Sequence, residues 1–354
     1  MELNNRALVI TPWLEGGGAQ KALENILNSV EQPDMVDIVI LFSGSRNFEP
    51  LRQTGRKIMQ LECSRTPFGV IKAALKLREI VRHYPRAYSL MRGSHVVLGM
   101  LPANTLKSIK LAATFHQLPK QEGQTMAGKL EQIVIKRALR GSHLVTSPSK
   151  RGVDEIVELE LAPPEVICHE PNLVATSNTP LVAPRKHIEG PLRLLFCGRI
   201  TDQKGLDQIP ELTDKVSEAL HIRIIGNGPE KETLKSRLKS SRTTHIEYLD
   251  HVDDVTPHID WCDAILMPSR EELRPMFVQE AWARGRSGIV SNIPAFADLA
   301  REGLLAIYPG KNEFESTLKS TALDYSWRSA AFAQARHGIQ KPHTEIGRFL
   351  EGAM

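Results

Sequence analysis

Short apolar runs alternate with amphipathic stretches along nearly the whole chain, and this alternation narrows the fold more than any other feature. RALVIT (6–11) reads as a strand and AQKALENILNSV (19–30) as the helix after it. VDIVILF (36–42) is the next strand, and FGVIKAALKLREIVRHY (68–84) has the spacing of an amphipathic helix. YSLMRG (88–93), LAATFH (111–116) and HLVTSP (143–148) read as further strands, and KLEQIVIKRALR (129–140) as a helix. Short apolar runs that alternate with amphipathic helices are the pattern of βαβ units and parallel sheets.

The alternation breaks once. LVATSNTPLVAPRKHIEGP (173–191) is rich in Pro, Ser, Thr and Asn and has no periodicity, as an interdomain connection does. It then restarts, with strands at LRLLFCG (192–198), HIRIIG (221–226), HIEYL (245–249), DAILMP (263–268) and SGIVS (287–291). The expected division is a first unit over residues 1–175, a linker at 176–190 and a second unit over 191–325. The chain has 354 residues, enough for two cores of ordinary size. The fold class expected is α/β, with two Rossmann-like, doubly wound domains. Two such units in succession imply a central cleft at the carboxyl ends of their strands.

Composition excludes several function classes. There are 45 basic and 41 acidic residues, a balance too mild for a dedicated nucleic-acid binder. The four cysteines, Cys63, Cys168, Cys197 and Cys262, form no C-x-x-C pair, which fits a reducing cytoplasm; Cys197, inside an apolar run, reads as a buried thiol. MELNNRALVITPW lacks the basic and apolar regions of a signal peptide. No apolar run approaches the ~20 residues of a membrane helix. The expected location is cytoplasmic, soluble or peripheral at the membrane.

Four stretches carry candidate chemistry. WLEGGGAQKAL (13–23) joins the first strand to the first helix. Its glycines let backbone approach a ligand, and the helix start offers N–H groups to a phosphate. It is not the dinucleotide fingerprint, because Lys21 occupies the last glycine position and the second strand lacks a terminal acid. LLFCGRITDQKGLD (194–207) sets Gly198, Arg199 and Lys204 at a strand-to-helix turn, where two cations can clamp a diphosphate. HIRIIGNGPEKETL (221–234) ends a strand in Gly226-Asn227-Gly228-Pro229, a turn that exposes backbone. PSREELRPMFVQEAW (268–282) carries Glu272 and Glu280, which on one continuous helix would stand roughly 80° apart. Glu272 in the loop and Glu280 in the following helix can instead face one ligand, and carboxylates accept hydrogen bonds from sugar hydroxyls.

In this order, the glycine-rich first loop, GRITDQKG, IIGNGP, PSREE and EAWARGRSGIVS resemble the retaining GT-B glycosyltransferases of glycosyltransferase family 4, over nearly the whole chain. The resemblance implies that Gly17 and Gly18 approach the donor diphosphate and that Arg199 and Lys204 bind its phosphates. It implies that Glu272 contacts the donor sugar and Glu280 the ribose, as the family's E-x7-E does. His116, ending LAATF, looks like the histidine near the transferred sugar, with His95 a lesser candidate. Gly198, Gly226, Asn227 and Met276 complete the implied donor-binding set. The family reads Gly-Phe-Gly-Leu after the first Glu, whereas Leu273-Arg274-Pro275-Met276 stands here. Pro275 has no N–H to offer, and Arg274 is the expected side-chain substitute.

The reaction implied is transfer of a hexose from a UDP- or GDP-sugar to a hydroxyl of a glycan or lipid-linked acceptor, with retention of configuration and without metal or cofactor. The segment 326–354 is expected to return to the first domain. A nucleotide-sugar epimerase and a non-catalytic partner subunit are the competing readings. Residues 64–86 hold six Lys/Arg against one Glu, and 104–140 hold seven against two. On amphipathic helices such runs suit an anionic membrane surface.

Overall fold

The computed structural model describes residues 6–14, 17–44, 51, 55–174, 179–238, 240–303, 305–336 and 344–354. The chain divides into two compact units, Met1–Leu173 with Lys341–Met354, and Val174–Gln340.

The first unit holds a seven-stranded sheet in the order β3-β2-β1-β4-β5-β6-β7. Its strands are β1 (Ala7–Thr11), β2 (Val36–Phe42), β3 (Ile58–Cys63), β4 (Arg86–Leu90), β5 (Lys110–Thr114), β6 (Leu144–Ser147) and β7 (Ile167–His169), all parallel. Central strands β1, β2 and β4 are buried at every position, as their largely apolar sequences require, and the polar Asp37, Arg86 and Ser89 are buried with them. Helices Pro67–Val81, Met91–Gly99 and Met126–Leu139 cover one face through Leu77, Val97, Leu98, Ile135 and Leu139. Helix Gly18–Ser29 and the C-terminal helix Glu345–Glu351 cover the other, through Leu23, Leu27, Ile346, Phe349 and Leu350.

The second unit repeats the architecture with six parallel strands in the order β10-β9-β8-β11-β12-β13. These are β8 (Leu192–Cys197), β9 (Leu220–Ile225), β10 (Thr244–Leu249), β11 (Ala264–Met267), β12 (Gly288–Ser291) and β13 (Leu305–Tyr308). In both sheets the strand order reverses at one place, β1/β4 and β8/β11. There the connections leave in opposite directions and open a crevice at the strand ends.

Three strands were not expected from the sequence: β3, β7 and β13. Each lies at a sheet edge, where one side faces solvent and a continuous apolar run is not needed. IMQLEC accordingly mixes polar with apolar residues, and all of ICH is only half-buried. YSLMRG is also shorter as a strand than expected. β4 stops at Leu90, and Met91, with φ 65, turns the chain into helix Met91–Gly99.

The division of the chain differs from the expected one at two points. Helix Tyr325–Arg336 packs against helix Met276–Ala283 and belongs to the second unit, so within 326–354 only the segment from 341 onward groups with the first. The expected linker, of which 175–178 lie outside the described residues, is tied to the second unit by arginines. Arg284 donates to the carbonyls of Thr179 and Pro180 (both 2.8 Å) while paired with Asp260, and Arg286 donates to that of Val182 (3.0 Å). Arg185 pairs with Asp263, and its carbonyl accepts from Arg328. These bonds satisfy backbone groups that an irregular segment otherwise leaves to water.

Candidate functional site

At the carboxyl ends of β8 and β11 two loops run side by side, 198–208 and 268–275. Glycine sets how closely they approach. Gly205 has φ 63, and a Cβ there would lie 2.1 Å from the carbonyl oxygen of Pro268. The neighbouring loop after β9 is held the same way. Gly226 has φ 144, and its Cβ would stand 2.0 Å from the carbonyl oxygen of Gly198. Only glycine fits either position. Gly226 thus serves first to bring protein backbone against protein backbone. Gly198 has no such crowding, with the nearest atom to a Cβ being Phe196 Cζ at 3.3 Å.

This packing brings Lys204 to Glu272. Lys204 Nζ donates to Glu272 Oε1 at 2.6 Å, and Ser269 Oγ donates to the same oxygen at 2.9 Å. The Glu272 side chain is 6% exposed and that of Lys204 17%, so the pair sits in a largely desolvated place where Coulomb attraction is strong. Oε2 of Glu272 accepts no hydrogen bond among the described residues. Arg199 is exposed, one residue past Gly198, and makes no ion pair among the described residues. The site therefore holds one carboxylate oxygen and one guanidinium open to a ligand.

Residues that the sequence did not single out hold the two loops together. Arg270 forms a two-pronged pair with Asp207 (2.8 and 2.6 Å) and donates to the carbonyl of Asp202 (2.6 Å). Arg270 N donates to Gln203 O, Gln203 Nε2 to Glu271 O, and Gln208 Nε2 to Pro268 O. The Asp207 carboxylate, beside the Arg270 guanidinium, is held below the usual carboxylate range. Opposite charges in KGLDQ and PSREE were the available signal, but nothing in the sequence pairs them across 63 positions.

Glu272 lies in the loop and Glu280 in the second turn of helix Met276–Ala283, the arrangement expected from their spacing. Glu280 lies near enough to the end of β8 for its charge to act on Cys197. Burial, with the Glu280 charge adding to it, pushes the Cys197 thiol up to about 12. Cys197 itself is half-buried rather than buried, because it is the last residue of its strand. The helix starts at Pro275 with no side-chain cap, leaving its first N–H groups for another acceptor. Met276 is buried. Asn227 is exposed, its Oδ1 accepting from Lys231 Nζ at 2.7 Å.

Arg274 differs from its expected role as a substitute for the missing backbone contact. Its guanidinium forms a two-pronged pair with Glu302 (2.9 and 2.6 Å), and its Nε donates to Gln279 Oε1. A planar fork satisfied by one carboxylate is committed to it.

The remaining candidates lie in the first unit. Gly17 (φ 133) and Gly18 are exposed at the uncapped start of helix Gly18–Ser29, which has no acid in its first turn. A Cβ at Gly17 would meet nothing within 4 Å. His116 follows β5; the residue is half-buried, while its Nε2 is covered and has no hydrogen-bond partner among the described residues. Burial pushes its pKa down to about 4, so the ring is neutral near pH 7. His95 is consumed by the core: Ser89 Oγ lies 2.7 Å from Nδ1, and Thr114 O 3.2 Å from Nε2. Among the described residues no three His, Cys, Asp or Glu side chains come together as a metal site would need.

Comparison with known proteins shows what the chain is similar to. Residues 191–320 match the family model for glycosyl transferases group 1. A segment of 104 residues is 32% identical to the O-antigen biosynthesis glycosyltransferase WclY of Escherichia coli, covering 29% of each chain, so the match spans under a third of that relative. In structure, the chain resembles HepE of Anabaena, solved with UDP and glucose, at TM-score 0.75 and 15% identity over 94% of this chain and 95% of that one. It also resembles WaaG, a glycosyltransferase involved in lipopolysaccharide biosynthesis, at TM-score 0.68 and 13% identity over 98% of both chains. Residues 191–320 are thus a glycosyl transferases group 1 domain, carried by a chain with the GT-B glycosyltransferase fold.

Proposed function

We propose that this protein is a retaining glycosyltransferase of glycosyltransferase family 4. It transfers a hexose from a UDP- or GDP-sugar to a hydroxyl of a cell-envelope glycan or lipid-linked acceptor. The observation that carries the reading is the Lys204–Glu272 pair, with Arg199 exposed on the same loop as Lys204 and in no ion pair among the described residues, at the switch point of the second sheet and inside the segment that matches the group 1 model. The similarity to WclY, an O-antigen biosynthesis enzyme, supports the envelope setting. The similarity in fold to HepE, solved with UDP and glucose, supports the donor class.

In this mechanism Arg199 and Lys204 bind the donor diphosphate and stabilise the charge that grows on it as the sugar–oxygen bond breaks. The acceptor hydroxyl attacks the anomeric carbon from the face the phosphate leaves, and its proton passes to the departing phosphate oxygen. Glu272 orients the sugar through its free oxygen, and Glu280 accepts from the ribose. Such positioning lowers the barrier by prepaying orientation. Gly198, Asn227 and the backbone N–H groups from Met276 onward line the donor, and the neutral His116 serves the transferred sugar. Two fixed cations on the leaving group do the work that a metal ion does elsewhere.

A thermal-shift series with UDP, GDP, ADP and their common sugars tests the reading. UDP or GDP should raise the melting temperature, and Lys204→Ala should abolish the rise. With a donor sugar and an envelope acceptor, nucleoside diphosphate should appear in step with a glycosylated product. If no nucleotide shifts the melt, or if the nucleotide sugar is merely epimerised without acceptor, the reading is wrong.

A further inference from the structure

At the carboxyl ends of β11, β12 and β13 the second unit forms a cavity of about 350 Å³. None of the residues proposed to bind the donor lines it. Its volume falls within the range of small-molecule sites, ~300–1,000 Å³, near the lower end. A second cavity of about 350 Å³ adjoins it, the two sharing Glu211 and Lys311.

Polar groups in the first cavity have unused hydrogen-bonding capacity of both kinds. Tyr308, the last residue of β13, is 5% exposed, and its hydroxyl is covered with no hydrogen-bond partner among the described residues. Its ring packs edge-on against Phe314, with centroids 5.3 Å apart, which fixes where the hydroxyl stands. The Asn292 amide is exposed and makes no hydrogen bond among the described residues. Gln208 Nε2 donates to Pro268 O at 2.8 Å, which leaves Oε1 as an acceptor. Ser291 Oγ donates to Ser269 O and keeps its lone pairs for another donor. Leu212, Ile293 and Pro309 supply apolar surface beside these groups.

Charge along the two cavities cancels. Arg270 is neutralised by Asp207 (2.6 Å) and Lys311 by Glu211 (3.1 Å). The second cavity adds Asp214 and Lys215, one of each sign. An anion would have to break one of these pairs to find a cation.

We infer that the two cavities bind a neutral glycan, one sugar unit in each. Hydroxyls donate and accept, as the free phenol, amide and serine groups require, and the C–H faces of a sugar ring suit the apolar surface. Balanced charge selects against nucleotides and anionic sugars. The ligand is read from the lining of a place apart from the donor residues, so this inference and the donor assignment fail separately.

Ligand-detected NMR with methyl glucoside, methyl galactoside, maltose, cellobiose and lactose tests it. A neutral disaccharide should give a saturable signal at lower concentration than the monosaccharides, and neither UDP nor GDP should displace it. Asn292→Trp, at an exposed position on the cavity wall, should abolish the signal. Tyr308→Phe should weaken binding at least about threefold, while the melting temperature without sugar stays at or above that of wild type, since the lost hydroxyl had no protein partner. Both variants should keep any melting shift that nucleotide gives to wild type. No saturable signal from any of these sugars would overturn the inference, as would binding indifferent to both substitutions. Displacement by UDP or GDP would overturn it by assigning the signal to the donor site. Saturable binding of inorganic phosphate that Asn292→Trp removes would overturn it by assigning the cavity to an anion.

Discussion

Lys204 Nζ lies 2.6 Å from Glu272 Oε1, joining two loops that leave neighbouring strands 68 positions apart in the chain. Both groups are largely shielded from water, and Ser269 donates to the same carboxylate oxygen. Removing one partner leaves the other charge uncompensated. Lys204→Ala is therefore expected to destabilise the second unit by about 2 kcal/mol, below the cost of breaking a fully buried pair. In a Glu272→Gln background the same substitution should cost markedly less. Urea unfolding of the four proteins in a double-mutant cycle measures the coupling, and equal costs in both backgrounds would count against it.

Arg270 clasps the two loops from the solvent side through Asp207 and the carbonyl of Asp202. An exposed pair of this kind adds little to stability, on the order of 0.2–1 kcal/mol. Its larger effect is on where Arg199 and Glu272 stand. Arg270→Ala is expected to leave the melting temperature within a few degrees of wild type while weakening UDP or GDP binding severalfold. Calorimetric titration beside a thermal melt separates the two effects. Lys at this position should not restore binding, since it lacks the two-pronged geometry.

The glycines around the site fall into two classes. A Cβ at Gly226 meets the Gly198 carbonyl at 2.0 Å with φ 144, and one at Gly228 meets the Ile200 carbonyl at 2.0 Å. At Gly198 the nearest atom stands at 3.3 Å, in a side chain. Gly226→Ala and Gly228→Ala are expected to cost about 2–4 kcal/mol of stability through backbone displacement. Gly198→Ala should fold nearly as well as wild type and act instead on ligand approach. Melting temperatures that failed to separate Gly198→Ala from the other two would refute this division.

His116 gives the first unit a specific acid sensitivity. Its folded pKa of about 4 lies below the unfolded value of 6.5, so between these the unfolded chain binds the extra proton. The advantage of the neutral ring, with Nε2 covered, is present above about pH 6.5 and is lost as pH falls towards 4. Glu122 and Glu170, both raised to about 7 by burial, act with the opposite sign over much of the same range, so wild type alone would not reveal the effect. Compared with His116→Gln at each pH, wild type should lose about 1–3 kcal/mol between pH 7 and pH 4. Denaturant unfolding across that range checks this, and parallel curves would rule it out.

The sequence by itself determined the repeated βαβ pattern, because central parallel strands are buried on both faces and read as largely apolar runs. It determined the placing of Glu272 in a loop and Glu280 on a helix, through turn residues on one side and an apolar face on the other. Edge strands β3, β7 and β13 escaped it, since half-solvated strands need no distinctive pattern. Only the tertiary structure decided the partners. Lys204 meets Glu272, Arg270 meets Asp207, Arg274 turns to Glu302, and three arginines tie down the expected linker. Charge pairing over tens of residues depends on how loops pack at the strand ends, and that packing depends on where backbone can touch backbone. Gly205 and Gly226, the second of which the resemblance had placed in the donor-binding set, are the positions where it does.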